Sequence, residues 1–150
     1  MSEQVVRGRC LCGDIRYECR GDPIVTLHCH CESCRRHTSS PVATFVCVAK
    51  ASFRLLGGMP TGYTSSPGVI RTHCKRCGSP IAYESDRHPE QIDLYAGTLD
   101  DPAGAQPTCH VHVGEQLPWF ETVDPLPRYE RGRHDATPVR HGPREQRTTR

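Results

Sequence analysis

Seven of the ten cysteines fall into three close groups, Cys10-Leu-Cys12-Gly13, Cys29-His-Cys31-Glu-Ser-Cys34 and Cys74-Lys-Arg-Cys77-Gly78. Met1 to Cys10 holds no basic region followed by an apolar run, so nothing there resembles a secretory signal and a cytoplasmic location is expected. In a reducing compartment, closely spaced thiols are metal ligands rather than disulfide partners. A closed structural zinc site takes four ligands, commonly as two short pairs. Cys10, Cys12, Cys74 and Cys77 form the natural set, because each pair ends in Cys-Gly. A glycine there can take positive φ and turn backbone amides toward the thiolates. Such a site would close a loop of roughly sixty residues and add metal-binding free energy to folding.

Cys29, Cys31 and Cys34 remain, and three is the informative number. Their spacing lets one turn, leading into a short helix, wrap three sulfurs about one ion and leave its fourth position open. Three protein ligands plus an exchangeable water or substrate is the pattern of catalytic zinc. Sulfur-ligated zinc is a good host for an incoming thiol, which it keeps deprotonated near neutral pH. A histidine could instead close the site, the candidates being His28, His30, His37 and His73. An iron–sulfur cluster would need one of the lone cysteines as its fourth thiolate. Those three, Cys19, Cys47 and Cys109, stand in strand-like runs and read as small core hydrophobes. His110 and His112 are spaced for one face of a strand, but without a third ligand nearby they read as ordinary strand histidines.

The elements that must position these groups read as short strands. Ile15, Tyr17 and Cys19 alternate with charged residues, and the runs 24–28, 42–49, 69–73, 81–83, 92–95 and 109–113 are rich in β-branched side chains. Gly and Pro punctuate the junctions, and only Glu32 to Thr38 looks helical. The expected fold is mainly β, a small antiparallel sheet domain with one short helix. At 35% the apolar content lies below the ~45% usual for globular domains, so metal crosslinks are expected to share the stabilising work. No apolar run approaches a membrane span, and no glycine-rich phosphate loop is present. The net charge of +2 is uneven: residues 1–127 carry 12 Lys or Arg against 14 Asp or Glu, and residues 128–150 carry 7 against 3. The expected organisation is one zinc-binding domain over residues 1–130 and a disordered basic tail over 131–150.

The chain resembles the glutathione-dependent formaldehyde-activating enzyme family, which includes the centromere protein V domain. The resemblance rests on Gly8-Arg-Cys10-Leu-Cys12-Gly13-Asp-Ile-Arg-Tyr17-Glu18, Cys29-His-Cys31-Glu-Ser-Cys34-Arg35-Arg36, Phe53-Arg54, Cys74-Lys-Arg-Cys77-Gly78-Ser-Pro80 and Pro118-Trp119-Phe120, in that order. It implies an Mss4-like β fold with two zinc ions per chain, structural at the four cysteines and catalytic at the three. The implied activity is a carbon–sulfur lyase that joins glutathione to formaldehyde, with His30 or His37 as candidates to move the proton. Arg35, Arg36, Lys75 and Arg76 abut the metal motifs and are candidates for the glutathione carboxylates. Trp119 reads as a plug which, with Leu117, Phe120 and Leu126, pins the C-terminal segment to the sheet. The alternative from another class is a non-catalytic zinc-ribbon-like module that binds protein or nucleic acid, aided by the basic tail.

Overall fold

A computed structural model describes residues 4–145. The fold is mainly β. In chain order the elements are β1 (Val5–Arg9), β2 (Arg16–Arg20), β3 (Val25–Cys29), α1 (Glu32–Thr38), β4 (Ala43–Ala49), β5 (Phe53–Gly57), β6 (Thr61–Ser66), β7 (Val69–His73), β8 (Pro80–Ser85), β9 (Gln91–Tyr95), β10 (Cys109–Val111), β11 (Pro127–Arg128) and β12 (Arg140–His141). The expected helix falls where the sequence places it, and the β-branched runs become β3, β4, β7, β8, β9 and β10. β1, β5 and β6 were not among the expected strands. β6 reads Thr-Gly-Tyr-Thr-Ser-Ser and lies almost wholly exposed at the end of its sheet, so burial imposes no alternation on it. Among the described residues, no helix is long and apolar enough to cross a membrane.

The chain divides into two compact units. The first holds residues 1–26 and 44–107. In it β1, β2 and β5 form one antiparallel sheet, and β4, β9, β8, β7 and β6 follow one another in a second antiparallel ladder. Ile15, Tyr17, Val46, Ile81 and Leu94 are the centre of an apolar core that also takes in the lone Cys19, while Cys47 is buried as well. β2 breaks its own alternation at Glu18, which is buried although it faces away from the core strands' apolar pattern. The reason is cross-strand. Glu18 pairs with Arg54 in the β2–β5 register, and Arg54 (2.6 Å), Arg7 (3.5 Å) and Arg20 (3.6 Å) close over its carboxylate. Burial pushes this carboxyl up, but the Arg54 hydrogen bond and the three guanidinium charges bring it below the usual range. Two sequence fragments, Tyr17-Glu18 and Phe53-Arg54, are thus one structural feature. Gly8 is equally specific: a Cβ there would collide with the Tyr17 hydroxyl, which bonds Thr98 Oγ1 at 2.7 Å.

The second unit holds residues 27–43 and 108–150. Here β3 and β10 pair in parallel, with His28 opposite His110 and Cys29 opposite Val111. β10 also pairs in parallel with β11, and β11 pairs antiparallel with β12, so the parallel pairings of this unit are the exceptions in a mostly antiparallel fold. β10 stops at Val111 because His112 takes a left-handed conformation (φ 57°), which a strand cannot propagate. α1 starts at Cys31, whose sulfur accepts the Cys34 amide (3.3 Å), and ends at Ser39 with φ 57°. The interior of this unit is polar: His30, His110 and Arg128 are among its most deeply buried side chains.

Within the stretch expected to be a disordered tail, residues 131–145 include a two-residue strand and charged contacts. Arg140–His141 form β12. Arg144 reaches Glu121 Oε2 (2.8 Å) and donates to the carbonyls of Leu117 and Phe120 (3.1 Å each). The remainder of the expected tail, 146–150, lies outside the described residues.

Candidate metal centres

The four sulfurs of Cys10, Cys12, Cys74 and Cys77 lie within 4.8 Å of one another. They come from two similar turns. Between β1 and β2, the Cys10 amide donates to Ile15 O (3.0 Å) and Gly13 N–H to Cys10 O (3.1 Å). Between β7 and β8, the Cys74 amide donates to Ser79 O (2.9 Å) and Gly78 N–H to Cys74 O (2.8 Å). Gly13 and Gly78 take φ of 80° and 81°, the left-handed region in which a side chain would be strained. The amide of Ile15 points at Cys10 Sγ (3.2 Å), and the Leu11 amide bonds Ser79 Oγ (2.9 Å), joining one turn to the other. The Ser79 hydroxyl and amide, with the Cys12 amide, pull Cys77 down to about 5. Cys12, though it has the Asp14 amide, is pushed up to about 11 by burial and its three sulfur neighbours.

Four sulfurs about one zinc at ~2.3 Å stand ~3.8 Å apart along the edges of a tetrahedron. Cys10 and Cys12 are separated by 3.6 Å, and Cys12 and Cys74 by 3.8 Å. The donor set and its spacing therefore fit a tetrahedral thiolate metal.

Cys29, Cys31 and Cys34 place their sulfurs within 4.8 Å of one another as well. Cys29 closes β3, Cys31 caps α1, and Cys34 sits in the first turn of α1 on its buried side. Hydrogen bonds from the Cys29 and Cys34 thiols, and the Cys34 amide, pull Cys31 well below the ordinary thiol value, while Cys31 and Cys34, together with burial, push Cys29 up. Among the described residues, no histidine or carboxylate joins this group, so it offers a metal three donors.

The histidines weighed as a fourth ligand are placed otherwise. His30 Nε2 and His110 Nδ1 are 2.8 Å apart, and His110 Nε2 lies 3.1 Å from Asp124 Oδ1. The His28 ring packs against His110 with centroids 4.7 Å apart. Burial, together with the neighbouring imidazoles, pushes His30 down to about 3 and His28 to about 4, so both are neutral. His37 lies in the last turn of α1, and His73 ends β7 in the first unit. His110 and His112 do not share a strand face: His110 is buried in β10, while His112 has left the strand and faces Glu115 (3.7 Å).

Other expected site residues have local partners. Arg35 donates to His30 O (3.3 Å) and Glu115 O (3.2 Å), bracing the cysteine turn. Arg36 pairs with Glu32 one helical turn away (2.8 Å). Lys75 and Arg76 are exposed on the late turn. Trp119 is 71% exposed, which corrects its reading as a plug. The C-terminal segment is pinned instead by Arg128, 0% exposed, which donates to Thr122 O (2.9 Å), Leu126 O (2.8 Å) and Asp124 O (3.1 Å). Sequence reading missed Arg128 and Asp124 because nothing in the spacing of either marks it as buried.

The chain is similar to known proteins over much of its length. A protein of Schizosaccharomyces pombe, named as an uncharacterized lyase, is 33% identical over 90 residues; the match spans 59% of this chain and 65% of that relative. The crystal structure of a Rhodobacter sphaeroides protein superposes with a TM-score of 0.55 at 20% identity, covering 65% of this chain and 93% of the other, and so shares the fold. The family model described as glutathione-dependent formaldehyde-activating enzyme matches residues 5–115, a span that includes all seven clustered cysteines. With that match over most of its length, the chain belongs to the glutathione-dependent formaldehyde-activating enzyme family.

Proposed function

We propose that this chain is a zinc enzyme of carbon–sulfur bond chemistry, adding the thiol of glutathione to formaldehyde, with the reverse cleavage making it a lyase. In this reading Cys10, Cys12, Cys74 and Cys77 hold a structural zinc, and Cys29, Cys31 and Cys34 hold a catalytic one, giving two ions per chain. The observation that carries it is the unequal donor count, four clustered sulfurs in one place and three in the other. When bound at the three sulfurs, zinc supplies an open coordination position where a thiol loses its proton near neutral pH.

The chain's own contribution is position. The parallel pairing of β3 with β10 fixes Cys29, the Cys34 amide holds the Cys31 sulfur at the start of α1, and Arg35 ties the intervening turn to Glu115. Held this way, the three sulfurs need no rearrangement to act together, which is where pre-organisation lowers a barrier. The alternative, a zinc-ribbon-like nucleic-acid module, is disfavoured by the ion pairs of the C-terminal arginines: Arg128, Arg140 and Arg144 all reach Glu121, at 3.6, 3.6 and 2.8 Å.

The test is proton NMR exchange spectroscopy of glutathione with formaldehyde, run with and without the zinc-loaded protein. Faster exchange into the hydroxymethyl thioether is expected. No acceleration at full zinc loading would remove formaldehyde as the substrate, and a reduced, folded protein carrying one zinc or none would overturn the division of sites.

A further inference from the structure

Asp124, His110 and His30 form a line of hydrogen bonds leading inward to the segment between Cys29 and Cys31, and its direction follows from donor chemistry. A carboxylate only accepts, so His110 Nε2, 3.1 and 3.2 Å from the two Asp124 oxygens, must carry a proton. Burial pushes His110 below its ordinary value despite the Asp124 hydrogen bond, and so favours the neutral ring. With Nε2 protonated its Nδ1 is bare, and the 2.8 Å contact there requires His30 Nε2 to donate. His30 is left with a bare Nδ1. That atom is buried, in a residue 1% exposed, and has no hydrogen-bond partner among the described residues. A buried acceptor without a partner costs about 1–3 kcal/mol, so such an atom calls for a donor from elsewhere.

We propose that Asp124 and His110 are positioning residues that lock His30 in a single neutral tautomer, proton on Nε2, so that its Nδ1 accepts a hydrogen bond from the O–H or N–H of a bound ligand. On the proposed function, on which this part rests, that ligand is the hydroxyl-bearing adduct of thiol and aldehyde. The supports of the line are specific, and one of them, Arg128, is fully buried. Asp124 Oδ1 accepts from the Leu126 amide (3.1 Å) and Arg128 Nη1 (3.3 Å), which holds the carboxylate still. The rings of His30 and His110 stack with centroids 5.1 Å apart, and Phe120 flanks His30 at 6.3 Å, leaving the imidazole little freedom to turn over.

Asp124→Asn makes the idea testable, because it should reverse the line. The Leu126 and Arg128 donors claim the Asn carbonyl oxygen, so the Asn NH2 faces His110 Nε2. His110 must then move its proton to Nδ1, and His30 must accept at Nε2 and carry its own proton on Nδ1. Nitrogen-15 spectra of the histidine-labelled, zinc-loaded full chain read this directly, with His30→Gln and His110→Gln assigning the signals. In the unsubstituted protein, His30 Nδ1 is expected to be bare, and its resonance to shift when glutathione and formaldehyde are added together. In Asp124→Asn it is expected to be protonated, with kcat for the exchange reaction down ~10- to 100-fold while KM for the thiol and the zinc content hold. A protonated His30 Nδ1 in the unsubstituted protein overturns the proposal, and this measurement stands even if the variant does not fold. An inverted tautomer with unchanged kcat, or no Nδ1 shift with the substrates, overturns it too. Lack of exchange activity in the unsubstituted protein would sink the proposed function instead, while the tautomer is still read from the spectrum.

Discussion

The two cysteine groups are built on opposite plans. The four-cysteine group joins residues 62 positions apart, Cys12 and Cys74, at the edge of an apolar core. The three-cysteine group is local, contained in six residues, and rests on a polar interior of imidazoles and a buried arginine. A set of four thiolates that closes a long loop does its work on the unfolded chain, by removing freedom from it and adding binding energy to folding. A local set of three closes almost no loop and adds little of that kind. What it gains is a precise local frame, a strand end, a helix cap and a histidine line. In the proposed reading, one group holds the fold together and the other presents an ion.

That contrast can be broken most decisively at the first group. Cys77→Ser is expected to remove one zinc per chain and destabilise the first unit by several kcal/mol, on the order expected when a structural metal is lost. Urea unfolding followed by circular dichroism, alongside metal analysis, checks it; an unchanged midpoint would erase the distinction between the groups. Cys31→Ser should also remove one zinc and abolish exchange activity, yet move the unfolding free energy by no more than ~1 kcal/mol. A large stability loss there would make both sites structural.

Smaller effects sharpen the picture of the polar unit. Glu121 is subject to burial, which would raise its pKa, but the Arg144 amide and side chain, Gln116 and Arg140 bring it from 4.5 to about 2. A depressed carboxyl contributes stability that is complete above its unfolded value and lost as pH falls through its folded one. Glu121→Gln should therefore cost stability above pH 4.5 and none near pH 2. Parallel pH series of the two proteins give the difference, and a constant offset across the range would show that the arginine pairs are not its source. Trp119→Ala, at an exposed position, should change stability by less than ~0.5 kcal/mol. Tryptophan fluorescence of the native protein should accordingly report a solvent-exposed indole, and a blue-shifted, quencher-protected one would restore its role as a plug.

The pattern of legibility follows physical range. Strands such as β4 and β9, and the helix Glu32–Thr38, are readable because they are apolar and buried or capped by their own residues. The seven clustered cysteines are readable because ligand spacing is a local property. β6 is not, since an exposed edge strand shows no period, and the parallel pairing of β3 with β10 is not, since it joins segments some eighty residues apart, as the His30–His110 bond shows. In the basic C-terminal stretch, composition counts arginines without saying whether a carboxylate such as Glu121 will be there to meet them.

By itself, the sequence determined the mainly β character, the single short helix, the division of cysteines into four and three, and the glycines that turn Gly13 and Gly78 to positive φ. These depend on a residue's own conformational limits and its near neighbours. Only the tertiary structure decided that Glu18 is buried under three arginines, that Trp119 faces solvent while Arg128 does not, and that His30 meets His110 and, through it, Asp124. Those outcomes depend on which distant groups are brought together when polar atoms are buried, because a buried charge or imidazole is tolerable only where the fold supplies its partner.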